Sequence, residues 1–166
     1  VDDRYLLGET PEIRNLFVAC GFNSIGIQSS GGAGKVLAEW MRDGKPPMDL
    51  WDVDVRRTFA FQAEPGFLRQ RTEETLGLLY AMHWPHQQYR TSRDARLGPL
   101  HTTLLAHGAV MGELAGWERP NWYAHGNQTE YDHTYGKPNW FDACQHECDA
   151  VQNNVALFDQ SSYPIF

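Results

Sequence analysis

Leu16-Phe17-Val18-Ala19-Cys20-Gly21-Phe22-Asn23-Ser24-Ile25-Gly26, then Gly31-Gly32-Ala33-Gly34-Lys35-Val36-Leu37-Ala38-Glu39-Trp40-Met41, is the stretch on which the fold is decided. Residues 16–20 are a short unbroken apolar run between Arg14-Asn15 and Gly21. Such a run predicts a fully buried strand, typical of a parallel sheet. The glycines and asparagine of 21–26 turn at little steric cost, so a tight loop follows. Over 30–41, Ala33, Val36, Leu37, Trp40 and Met41 recur at helical spacing and predict a buried stripe. Ser29 or Ser30 can cap this helix, and Gly44 with Pro46-Pro47 stops it. Strand, glycine loop and amphipathic helix make half of a βαβ unit. Spacing alone leaves plain packing open.

Working outward, 46–57 reads as a Pro- and Asp-rich linker. A second helix is expected over about 65–80, with Leu68, Leu76 and Leu79 on its buried side. A third starts at Pro99, a good first helical residue, and ends at Gly108. Residues 109–114 could form a strand. Residues 116–135 read as a loop anchored by Trp117, Trp122 and Tyr123. A fourth helix is expected over about 139–154, its stripe made by Trp140 or Phe141, Cys144, Cys148, Val151 and Val155. The fold class is therefore α+β. No internal repeat or low-complexity tract is found.

The 166 residues allow one domain, or one plus a fragment. With 42% hydrophobic and 21% charged residues, the chain has the makings of a globular core. A net charge of −7 argues against nucleic acid or an anionic membrane as main partner, since both demand a basic footprint. No apolar run approaches a membrane span, and no apolar h-region follows Val1-Asp2-Asp3-Arg4. Three cysteines, at 20, 144 and 148, make no disulfide scaffold, so a reducing compartment is expected. Val1 is not Met, and the last six residues, Ser161-Ser162-Tyr163-Pro164-Ile165-Phe166, finish on an apolar stretch. A piece of a longer protein, or a subunit completed by another chain, is the expectation.

Gly31-Gly32-Ala33-Gly34-Lys35 is not a phosphate loop, because Ser29 and Val36 stand where Gly and Ser or Thr are needed. Nor is it a dinucleotide fingerprint, since Leu37 takes the place of the third Gly. What survives is a helix beginning in glycines, which presents N–H groups and a positive dipole end to an anion or an electron-rich ring edge. Plain close packing is the other reading. Cys144 and Cys148 share a helix face but lack a second ligand pair, so no metal site is expected. His83 and His86 flank Trp84-Pro85 and read as structural. Glu73 and Glu74 diverge by about 100° on a helix and cannot share a proton. Some of the arginines at 56, 57, 69, 71, 90, 93 and 96 are expected to pair with Asp49, Asp52 and Asp54. No Gly-x-Ser-x-Gly elbow occurs.

The blocks 8–26 and 31–40 resemble the closing segment of the FAD domain in dimethylglycine and sarcosine dehydrogenases. Asp49-Leu50-Trp51-Asp52-Val53-Asp54-Val55-Arg56-Arg57 resembles the exit from that domain. Thr91-Ser92-Arg93, Pro99-Leu100-His101 and Gly116-Trp117-Glu118-Arg119-Pro120-Asn121-Trp122-Tyr123 resemble the small central domain. Trp140-Phe141-Asp142 and 155–162 resemble the entry into the aminomethyltransferase-like folate-binding domain. The likeness implies three parts. Residues 1–57 end a Rossmann-like FAD domain with its last strand, loop and helix. Residues 58–136 form a small, loop-rich helical central domain, and 137–166 begin the folate domain.

It further implies FAD, hydride transfer from an N-methyl group, and capture of the one-carbon unit by tetrahydrofolate. Phe22, Asn23, Ser24, Ile25, Gly26 and Ile27 would lie against the flavin ring, with the helix start at Gly31 and Gly32 aimed at its pyrimidine edge. No catalytic residue is assigned. The implied partners are an N-methyl amino acid and the remainder of the flavoenzyme, in the bacterial cytoplasm or the mitochondrial matrix. A non-catalytic regulatory module of the same family is the alternative. The family's N-terminal Gly-x-Gly-x-x-Gly and flavin-tethering histidine are missing here, so the chain alone is not expected to bind FAD tightly. Gln152 stands where Arg is common, and Pro164-Ile165 where Gly-Lys is usual.

Overall fold

A computed structural model describes residues 1–126 and 128–163, so the Pro164-Ile165 departure lies outside the described residues. The chain divides into two compact units, Val1–Tyr80 and Ala81–Phe166.

The first unit begins with an antiparallel hairpin of β1 (Leu6–Glu9) and β2 (Phe17–Cys20), in which Leu7 faces Ala19 and Gly8 faces Val18. This corrects the expected strand in two respects. β2 is antiparallel, and it is not fully buried: Leu16, Ala19 and Cys20 are exposed. An apolar run carries no information about its partner, and here the partner is the preceding segment. β1 also makes a parallel bridge through Leu7 to Asp54, with the Leu7 N–H donating to the Val53 carbonyl at 2.8 Å. The helix α1 (Gly26–Asp43) starts four residues before the expected position. Neither Ser29 nor Ser30 caps it; Ile25 holds the N-cap position. Gly44 ends it as expected, left-handed at φ 71°, with its N–H on the Trp40 carbonyl.

Of the predicted stripe, Ala33 and Trp40 are buried and Met41 is exposed. Trp40 joins helix to hairpin. Its ring is 2% exposed, meets Phe17 edge-on at 5.9 Å and lies 5.1 Å beneath the Arg56 guanidinium. Burial of such a ring contributes about 3 kcal/mol. Gly8 makes this possible, because a β-carbon there would come within 2.5 Å of the indole, and its φ of +120° favours glycine.

Short 3₁₀ turns at Val55–Arg57 and Ala60–Ala63 lead into α2 (Pro65–Leu78). Pro65 opens α2, and the Glu64 carboxylate accepts the Phe67 N–H at 2.7 Å. The buried face is Phe67, Arg71 and Thr75, whereas Leu68 and Leu76 are exposed. The leucine face was the wrong choice. Phe61 meets Phe67 edge-on at 5.2 Å and Phe59 stacks on Phe61, so aromatic rings occupy the inner side, with the Arg71 guanidinium 5.0 Å over Phe67.

The second unit contains α3 (His101–Ala106), β3 (Ala109–Leu114), β4 (Trp117–Tyr123) and α4 (Phe141–Asn153). β3 is where it was expected. β4 was expected to be loop, and is a strand antiparallel to β3. Ala115 at φ 52° and Gly116 at φ 80° form the two-residue left-handed turn that suits a twisted hairpin. Pro120 lacks a backbone N–H for a regular ladder. It sits at a register shift in which Val110 faces Trp122 and Met111 faces Pro120, leaving Asn121 as the extra residue of a bulge. Val110, Trp122 and Ala143 form the core. Of the predicted α4 stripe, Trp140 and Cys144 pack against this core beside Ala143, while Cys148, Val151 and Val155 are exposed.

Candidate functional site

The loop after β2 is bent by left-handed residues. Gly21 (φ 73°), Asn23 (φ 38°) and Ser24 (φ 71°) turn the chain before the Ile25 N–H closes on the Phe22 carbonyl at 2.9 Å. Two consecutive non-glycine residues at positive φ are uncommon outside functional loops. The base of the loop is tied down. Phe22 stacks on Tyr5 at 4.6 Å, and the Asn23 amide donates to the carbonyl and the carboxylate of Asp3 at 3.1 and 3.0 Å. The tip is not covered, since Ile25 is 41% and Ile27 96% exposed.

Phe22 to Ile27 are thus brought together around the start of α1, but Gly31 and Gly32 are not at that start. They lie in its second turn, about 7–9 Å along the axis from Gly26. The dipole end belongs to Gly26, Ile27 and Gln28, with no acidic residue in the first turn to neutralise it. Gly31, Gly32 and Gly34 have a different quality: a β-carbon on any of them meets no described atom within 4 Å. Gly31 and Gly34 lie on the same side of α1 as Ile27, and Gly32 is turned about 100° from Gly31.

Near the loop, Asp54 caps the turn after it. Its carboxylate accepts the Arg56 N–H at 2.8 Å and the Arg56 guanidinium at 2.6–3.1 Å. Burial pushes this carboxyl up, but the Arg56 hydrogen bonds and the charges of Arg56 and Arg57 outweigh burial and hold it below the usual aspartate range. The Arg57 guanidinium, 7% exposed, holds Asp2 through two 3.0 Å bonds. Of the predicted acidic partners, Asp54 takes Arg56 and Asp52 takes Arg4.

The second unit holds a constellation that the spacing alone did not reveal. Arg93 donates to both carboxylate oxygens of Glu118 and to the carbonyls of Tyr89 and Met111. The Asp94 N–H adds a bond to Glu118 at 3.0 Å, and the Glu118 N–H returns one to the Arg96 carbonyl. Arg96 lies 4.3 Å above the Trp117 ring, and Arg119 lies 4.4 Å above Tyr163. Burial pushes the Glu118 carboxyl up, yet the Arg93 and Asp94 hydrogen bonds, the Arg93 charge and His101 together bring it below the usual glutamate range. Thr91-Ser92-Arg93 and Gly116-Trp117-Glu118-Arg119-Pro120 are therefore two halves of one clamp. The signal for it was a lone Glu in an aromatic strand with an Arg 25 residues earlier, too distant for any local rule.

Residues 43–97 match the family model described as the FAD dependent oxidoreductase central domain, and 100–165 match that of the GCVT N-terminal domain. The chain is 49% identical, over 99% of its length, to 4-methylaminobutanoate oxidase (formaldehyde-forming) of Paenarthrobacter nicotinovorans, of which it covers 20%. It is 37% identical over 99% to the mitochondrial pyruvate dehydrogenase phosphatase regulatory subunit of Mus musculus, covering 19% of it. It is 34% identical over 99% to mitochondrial sarcosine dehydrogenase of Mus musculus, covering 21%. The chain thus spans about a fifth of the length of the curated relatives it matches. With both family models in tandem and the resembling blocks running its length, this chain belongs to the dimethylglycine and sarcosine dehydrogenase family of FAD-dependent oxidoreductases.

Proposed function

We propose that this chain is one segment of a larger flavoenzyme that oxidatively demethylates an N-methyl amino acid. The observation that carries the reading is the match over 99% of the chain to relatives named for that chemistry. FAD, when bound, supplies the hydride acceptor for the N-methyl carbon, and tetrahydrofolate in the C-terminal domain receives the one-carbon unit. In this reading residues 1–57 close the flavin domain, 58–136 form the central domain and 137–166 enter the folate domain, bounds that lie later in the chain than the family-model matches at 43–97 and 100–165.

The residues suit one wall of a flavin site. The uncovered Ile25 and Ile27 offer apolar contact that excludes water. Gly31 and Gly32 leave room for close approach along α1. The first-turn N–H groups of α1 at Gly26 to Gln28 favour negative charge at a ring edge. Phe22, Asn23 and Ser24 hold this tip in shape through Tyr5 and Asp3. One wall is not a seat. The tight hold on the cofactor comes from the rest of the polypeptide.

The likeness to a regulatory subunit supports a second reading, a non-catalytic module built on the same scaffold. Purification of the complete polypeptide decides between them. A yellow protein whose flavin bands bleach on anaerobic addition of sarcosine or 4-methylaminobutanoate is the expected result. A colourless, folded protein reverses the assignment in favour of the module.

A further inference from the structure

Two histidines meet at the surface of the second unit, one just past the end of β4 and one in the middle of α4. The rings of His125 and His146 have centres 5.4 Å apart and planes at 88°. Both residues are exposed. Among the described residues neither ring has a hydrogen-bond partner, so its nitrogens are open to solvent. The pair is assembled by the fold, since the two positions are 21 apart in the chain.

The backbone around them is fixed. The Tyr123 N–H donates to the Glu147 carboxylate at 2.7 Å, which ties the strand end to α4 one residue from His146. The Ala124 N–H donates to the Gly108 carbonyl at 2.8 Å, one residue before His125, and Gly126 turns the chain away at φ 81°. Two ligating side chains held on rigid elements lose little freedom when an ion joins them. The spacing of the rings also suits an ion. An imidazole centre lies about 3.2 Å from a zinc ion that one of its nitrogens holds, so two rings on a tetrahedral ion have centres about 5.2 Å apart. The observed separation is within a few tenths of an ångström of that. Charge favours a cation as well. Asp142 and Asp149 stand four residues before and three after His146, on its side of α4, and the chain carries −7 overall. Asp142 is paired with Lys137. Among the described residues no third His, Cys, Asp or Glu completes a cluster, which leaves the other positions of an ion to water.

We propose that His125 and His146 form a two-imidazole site for a divalent transition-metal ion of the zinc class, for which neutral imidazole nitrogen is a suitable ligand. The ion staples the end of β4 to the middle of α4. The site uses only residues of the second unit and stands or falls independently of the flavin reading.

The test is a titration of the 166-residue chain with zinc chloride at neutral pH, followed at the ring C–H signals of its seven histidines. Two of the seven should shift together and saturate at one ion per chain. Those two should be the signals lost in His125→Gln and in His146→Gln. Each substitution should weaken zinc binding by about tenfold or more. Both positions are exposed, so both variants should keep the fold. Cys148→Ser, at the exposed thiol nearby, should leave the affinity unchanged; a loss of binding there moves the ion to the cysteines and overturns the proposal. Absence of any saturable shift also overturns it, as does an affinity that only one of the two histidine substitutions lowers. The two rings would then share an edge contact and nothing more.

Discussion

In the turn from Gly116 to Pro120, Trp117, Glu118 and Arg119 each find a partner inside their own unit: Arg96, Arg93 and Tyr163. Between Phe22 and Gly34 the reverse holds. Ile25 and Ile27 are uncovered, and three glycines face open space. Both blocks resemble the same family, so the likeness alone cannot say what each one does. Contacts separate them. A motif whose side chains are used up within the chain holds the fold. On the proposed reading, the motif left bare is the one that meets the cofactor or another segment of the larger protein.

The sharpest way to break this contrast is Glu118→Ala. It leaves the Arg93 guanidinium without its carboxylate in a partly buried place, and should lower stability by about 3 kcal/mol in urea unfolding. A loss under 1 kcal/mol would mean that the clamp is ornamental. Acid makes the same point. Glu118 lies below the usual range when folded, so its contribution is present above the unfolded carboxyl value near about 4.3 and is lost as pH falls through the lower folded value. The stability gap between wild type and Glu118→Gln should therefore be constant from neutral pH down to about 5 and narrow below about 4. A gap that persists unchanged at low pH would place the effect outside the ion pair.

Gly8→Ala comes next. The new β-carbon would run into the Trp40 ring, and the backbone stands at φ +120°, so a loss of about 2 kcal/mol is expected in the first unit. Trp40 fluorescence should shift to the red as the indole is pushed toward water. A neutral substitution would show that the hairpin slides on α1 without strain.

What could be read in advance follows the range of each interaction. The Ala33 and Trp40 part of the stripe, the Gly44 stop, the Pro65 start and the strand 109–114 rest on neighbours within a few residues, and they stand in the structure. β4 carries Pro120 inside the strand, accommodated at a bulge, and a bulge is a property of the pair that the 116–135 segment alone does not display. The direction of β2 depended on the hairpin partner Leu6–Glu9, which has no signature of its own. The helix starts earlier than a Ser29 or Ser30 cap implies, because its start at Gly26 uses no side-chain cap. At the loop, residue types pointed to permissive backbone, and Gly21 and Asn23 have it. The glycines at 31 and 32 lie inside α1 rather than at its end, because the helix starts at Gly26.

Gly31→Ala sharpens the contrast with opposite signs in two preparations. Glycine in a helix interior is about 1 kcal/mol worse than alanine, and the added methyl meets nothing in this chain. The isolated chain should gain about that much in thermal or urea unfolding. In the complete polypeptide the same methyl would stand where the flavin or its supporting segment comes close, so flavin absorbance per protein should fall. A destabilised isolated chain would show the glycine to be needed for local packing.

Ile27 carries the smallest effect on the chain itself and the cleanest separation. At 96% exposure it removes almost no apolar surface from water here, so Ile27→Gln should change stability by less than about 0.5 kcal/mol. On the proposed reading, this branched apolar side chain at the open tip of a bent loop, beside the exposed Ile25, is covered by something apolar in the complete protein. Retained stability of the isolated chain together with lost flavin in the complete polypeptide would tie that covering to the cofactor site. Unchanged flavin with weakened packing of the larger protein would assign Ile27 to a contact between polypeptide segments. The wall would then be narrowed to the backbone of Phe22 to Gly26.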